Sequence, residues 1–135
     1  MEPKVRVEQD AVQRGATLDR WQVRWCIENL GQQPLKILAA RAPHGKFRCK
    51  EKEFTPAVDL GPNQRGWIEL EARCSEPPGT VVENAFLIMR VLWAGSLWLI
   101  LVRFRVSVNG EGAPTTMTEL ITTQPVGFSL QRADS

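Results

Sequence analysis

The sequence predicts one all-β domain, a two-sheet β-sandwich of about seven strands. Three observations lead there. Apolar and polar residues alternate with a period of two in several short runs. Gly, Pro and Asn clusters punctuate those runs. No segment carries the 3.6-residue period of an amphipathic helix.

The chain has 135 residues, 43% apolar and 24% charged, enough to bury a core without disulfide or metal staples. Its net charge of +2 demands neither nucleic acid nor membrane, so any electrostatic role must be local. Three cysteines, Cys26, Cys49 and Cys74, have no CxxC spacing and do not read as a secreted disulfide framework, although a Cys49–Cys74 bridge stays open. The charged start, Met1-Glu2-Pro3-Lys4, shows no apolar signal region, and the expected location is a reducing cytoplasm.

The elements follow in order. A short strand covers about Val5 to Gln9, and Gly15 turns the connector after it. In residues 21–28, Trp21, Val23, Trp25 and Ile27 face one way while Gln22, Arg24, Cys26 and Glu28 face the other. Asn29-Leu30-Gly31 ends that strand, and Pro34 opens the next, Leu35 to Ala42. Residues 46–54 alternate again, and Leu60-Gly61-Pro62-Asn63 is a turn. Ile68, Leu70, Ala72 and Cys74 then point inward, and Pro77-Pro78 breaks the run.

Residues 85–102 hold 18 mostly apolar residues, long enough for a membrane helix. Arg90 inside the run and Gly95-Ser96 near its middle favour a β-hairpin within 81–108, so a membrane partner is not expected. With Gly95-Ser96 as the loop, Trp93 pairs with Trp98 and Leu92 with Leu99. The sandwich domain is therefore read as 1–108. Residues 109–135 form a Gly-rich joint and a tail with spaced apolar residues, Met117, Leu120, Ile121, Val126 and Phe128, that packs on or beyond the last hairpin.

The stretch Ile27-Glu28-Asn29-Leu30-Gly31-Gln32-Gln33-Pro34-Leu35-Lys36-Ile37 resembles the N-x-G-x-x-P-L-x-I pattern of the Hydin and major-sperm-protein-like group of immunoglobulin-like domains. Leu60-Gly61-Pro62 is similar to what those domains place before their fifth strand. The resemblance covers about a quarter of the chain. It implies an immunoglobulin-like sandwich and a non-enzymatic scaffold or interaction module, with no catalytic residues to transfer.

Catalysis has little support in the residues. His44 is the sole histidine, and pairing with Cys49 would lack a third, orienting group. Three cysteines and one histidine could make a zinc site in number, but their spacings are irregular. No GxGxxG, P-loop or GxSxG motif is present, and no metal or cofactor is expected. Trp21, Trp25, Trp93 and Trp98 fall on inward phases, whereas Trp67 should show a surface.

Two contact surfaces remain. Lys46, Arg48, Lys50 and Lys52 share one phase of a strand, at roughly 7 Å intervals, with Arg41 and His44 just before them. That ladder either protects an edge strand or binds an anionic ligand, an acidic protein surface or, less favoured, a nucleic acid. The other surface is the outer face of the hairpin. Phe86, Ile88, Leu92, Leu97, Leu99 and Leu101 form an apolar stripe ringed by Arg90, Arg103 and Arg105. Its expected cover is the tail, another protein or a second copy of the chain. The expected function is a non-enzymatic protein–protein interaction or scaffold module, self-association included.

Overall fold

The computed structural model describes residues 1–127 and contains eight antiparallel strands and no helix among them. The strands are β1 (Val5–Arg14), β2 (Arg20–Asn29), β3 (Leu35–His44), β4 (Phe47–Leu60), β5 (Arg65–Arg73), β6 (Val81–Trp93), β7 (Ser96–Val108) and β8 (Pro114–Pro125). They form one sheet in the order β1-β2-β5-β4-β3-β6-β7-β8, curled into a nearly closed barrel. The count is eight strands in one sheet, where about seven in two sheets were expected. The eighth strand is the segment read as a tail, and Phe128 lies outside the described residues.

Alternation correctly placed the core. Trp21, Val23, Trp25 and Ile27 of β2 and Ile68, Leu70 and Ala72 of β5 are buried. So are Leu87, Met89 and Val91 of β6 and Ile100, Val102 and Phe104 of β7. Aromatic rings fill the centre. Trp25 stacks on Phe104 with centroids 6.2 Å apart, and Phe47 stands edge-on to both. Trp67 is 49% exposed, as its phase implied, while Trp98 is only partly buried and packs edge-on against Trp93.

The hairpin turns at Ala94-Gly95, not Gly95-Ser96. Both residues have positive φ, the two-residue geometry that matches the right-handed twist of the strands it joins. Leu92 therefore pairs with Leu97 and Val91 with Trp98. The difference is two residues, an even number, so every side chain keeps its expected face. Residues 85–102 are strand and turn throughout, and no helix among the described residues is long and apolar enough to cross a membrane.

Backbone pairing is thin at two places. β4 and β5 share a single register pair, Arg48 with Arg73. β1 and β8, the ends of the sheet, are joined by side chains instead of a ladder. Gln9 accepts from the N–H of Thr116 (2.7 Å) and from its hydroxyl (2.8 Å), and donates to the Pro114 carbonyl. Thr118 donates to the Val7 carbonyl (2.7 Å). The Thr116 hydroxyl also accepts from the buried Trp25 indole (3.1 Å), linking this closure to the core. Thr116→Val keeps the shape and removes that acceptor. It is expected to cost about 1–3 kcal/mol, because a buried indole N–H is left without a partner. Urea unfolding checks this: the midpoint should fall with the slope unchanged.

Candidate functional site

The outer surface of β3, β6, β7 and β8 carries the apolar stripe. In successive rows across the ladders, Lys36, Leu92 and Leu97 align, then Ala39, Arg90, Leu99 and Gln124. Arg41, Ile88, Leu101 and Thr122 follow, and then Phe86, Arg103 and Leu120. The structure therefore brings together all six apolar residues expected from the hairpin and adds Leu120. Leu92, Leu97 and Leu120 are 37%, 38% and 47% exposed, and the others are half-buried.

β8 does not cover this stripe. It continues the sheet beside β7, because Thr116 and Thr118 are tied across to β1. Of the expected covers, the tail (115–130) folding over the stripe is corrected on that ground for its described part, which packs beyond the hairpin as β8. The arginines also differ from a free cationic ring. Arg90 bridges to Glu53 (3.3 Å), passing over the buried Ala39 that lies between them in the register. Arg105 pairs with Glu83 (3.1 Å) and Glu119 (3.6 Å). Arg103 has no carboxylate partner among the described residues, and its Nε is buried without an acceptor between Phe86 and Leu120. The stripe is thus mostly apolar, with Arg90 held by one carboxylate, Arg105 by two, and Arg103 by none among the described residues.

The basic ladder is shorter than its sequence suggested. Lys46 lies in the two-residue turn between β3 and β4, where its N–H donates to His44 Nδ1 (3.0 Å). A bulge then opposes Lys50 and Glu51 to Arg41 alone, since Ala42 pairs with Cys49 and Ala40 with Lys52. Past the bulge the phase inverts. Lys52 aligns with the buried Ala40 and reaches across to β5, donating to the Glu69 carbonyl (3.2 Å). Arg48 and Lys50 alone keep the expected outward phase; Arg41 and His44 stay on β3. β4 also has neighbours on both sides, so it is not an edge strand, although its pairing with β5 is minimal.

The cysteines are free thiols. Burial pushes Cys49 up to about 12, so it holds no thiolate near neutrality. Burial also raises the Cys26 and Cys74 thiols. The His44 ring is engaged by its own turn while Cys49 points into the core. Among the described residues no three His, Cys, Asp or Glu side chains gather as metal ligands would.

Sequence reasoning missed a polar cluster on the outer face of β1, β2 and β5. A bulge between Gln9 and Ala11 displaces Asp10 from the ladder. Its carboxylate then accepts from Arg24 Nε (2.9 Å) and from the exposed Trp67 indole (2.8 Å). The Arg24 hydrogen bond holds the Asp10 carboxyl below its ordinary value, against a smaller opposing effect of burial. This cluster fixes Trp67 in place.

The chain matches no protein-family model, and no curated protein is significantly similar to it.

Proposed function

We propose that this protein is a non-enzymatic interaction module with an immunoglobulin-like ground plan, and that it self-associates through the outer face of β6, β7 and β8. The observation that carries the proposal is the apolar stripe that no described residue covers once β8 has taken its place beside β7. Contiguous apolar surface rimmed by polar groups marks contact sites. Here the rim charges are already paired within the chain, so burying the stripe strands few ions.

Strand order supports the immunoglobulin-like ground plan. The run β1-β2-β5-β4-β3-β6-β7 follows the A-B-E-D and C-F-G order of an immunoglobulin sandwich, with β4 joining the two halves and β8 added beside the last strand. The two stretches that resemble Hydin and major-sperm-protein-like domains also meet in space. The Asn29 amide donates to the Leu60 carbonyl (3.0 Å). A relationship to that group fits a scaffold role.

The test is solution mass with Leu99→Lys combined with Leu101→Glu. Both side chains stand in the middle of the stripe, and each forgoes about 1.5–3 kcal/mol when exposed instead of buried. The wild-type chain is expected to run as a dimer and the double variant as a folded monomer. A monomeric wild type at high concentration would overturn self-association.

A further inference from the structure

We propose that the cleft where β4 parts from β5 binds the phosphoryl group of a small soluble molecule, through Arg48, Lys50 and Arg73. This site lies between β4 and β5, two strands from the β6 edge of the apolar stripe, and does not depend on it.

Three arginines stand in register across adjacent strands. Arg20 pairs with Arg73 between β2 and β5, and Arg73 pairs with Arg48 between β5 and β4. All three occupy outward phases, at strand spacings of about 5 Å. Like charges directly opposite one another destabilise a ladder. Carboxylates offset only part of this row. Arg20 pairs with Glu71 (2.8 Å), and Asp19 is shared loosely by Arg20 (3.8 Å) and Arg73 (3.4 Å). Arg48 and Lys50 pair with no carboxylate among the described residues.

The backbone adds donors at the same place. After the Arg48–Arg73 pair the strands separate, leaving a cleft of about 370 Å³ over Leu70. Lys52 reaches the Glu69 carbonyl, so the edge of β5 facing β4 is open there. In an antiparallel strand the N–H and C=O of one residue point to the same side, and alternate residues share that side. The N–H groups of Glu69 and Glu71 therefore face the cleft. Guanidinium forks combined with backbone N–H donors suit the tetrahedral oxygens of a phosphoryl group. The volume fits a small ligand. Leu70 is the one apolar residue lining it, and that gives an acyl chain nothing to pack against.

The experiment is calorimetric titration of inorganic pyrophosphate at low ionic strength. The variants are Arg48→Glu with Lys50→Glu, and a control, Lys4→Glu with Arg65→Glu, which changes net charge equally at the opposite end of the sheet from the cleft. Circular dichroism verifies that each is folded. The wild type is expected to bind one pyrophosphate saturably, with affinity falling as salt rises. The cleft variant should lose at least about tenfold in affinity, the scale of a hydrogen bond to a charged group. The control should stay within about twofold, as expected for screened, distant charges. Absence of saturable binding at millimolar pyrophosphate overturns the site. So does an equal loss in the control, which would reduce the effect to net charge. Co-flotation with phosphatidic acid vesicles that pyrophosphate does not compete away overturns the assignment to a soluble ligand.

Discussion

Phe104→Ala is expected to lower stability by about 3–5 kcal/mol, the range for removing a large buried aromatic ring. Phe104 is wholly buried on β7, stacked at 16° on Trp25 of β2 and met edge-on by Phe47 of β4 at 5.6 Å. These three strands belong to parts of the sheet that the ladder joins poorly. β4 holds β5 by one register pair, and β1 holds β8 by side chains. Contact across the interior therefore does what continuous hydrogen bonding does in a fully closed barrel. Removing the ring leaves a cavity where side chains of β2, β4 and β7 meet. Guanidinium unfolding measures the loss, and near-ultraviolet circular dichroism of Trp25 should weaken with it. A cost below about 1 kcal/mol, the level of an ordinary surface change, would mean that the two halves are held elsewhere.

Much of this core was legible because strand phase is local. Trp21 to Ile27, Ile68 to Cys74 and the hairpin each declare two faces by alternation alone, and all of the inward residues but Trp98 are buried. Bulges were not legible. One extra residue in β4 turns Lys52 off the basic face, and one in β1 frees Asp10 to reach Arg24 and Trp67. Nothing in either run distinguishes the extra residue from its neighbours, since its cause is the pairing partner. The hairpin loop was misplaced for a related reason. Ala94 adopts a φ of 50°, a conformation alanine does not advertise. The apolar stripe was visible in full within the hairpin, yet Leu120 joined it only once β8 was known to flank β7. The arginine row was invisible for the same reason. Arg20, Arg48 and Arg73 lie far apart in sequence, and only the order β2-β5-β4 brings them side by side.

Asn29→Ala should be the second large loss, about 3 kcal/mol, because it leaves the buried Leu60 carbonyl and the part-buried Gln33 carbonyl and Gly31 N–H without their partner, at up to about 1–3 kcal/mol for a fully buried group. Asn29 is 1% exposed at the end of β2. Its amide nitrogen donates to the carbonyls of Gln33 (2.9 Å) and Leu60 (3.0 Å), and its side-chain oxygen accepts from the Gly31 N–H (2.9 Å). Its own backbone pairs with Gln64 and Asn63 across the β4–β5 turn. One side chain thus fixes the β2–β3 turn and locks it to the end of β4. Asn29→Asp separates this role from simple packing. Aspartate keeps the acceptor for Gly31 but loses both donated bonds, and sets a desolvated carboxylate against two carbonyls. Its folded pKa must rise above the unfolded value. Stability of Asn29→Asp should therefore be greatest below the unfolded carboxyl pKa and fall as pH rises through the folded one. Asn29→Ala carries no such group and should differ from wild type by a constant amount over the same range. Thermal unfolding at a series of pH values would show the two curves diverging; parallel curves would mean that the amide is not buried between those carbonyls.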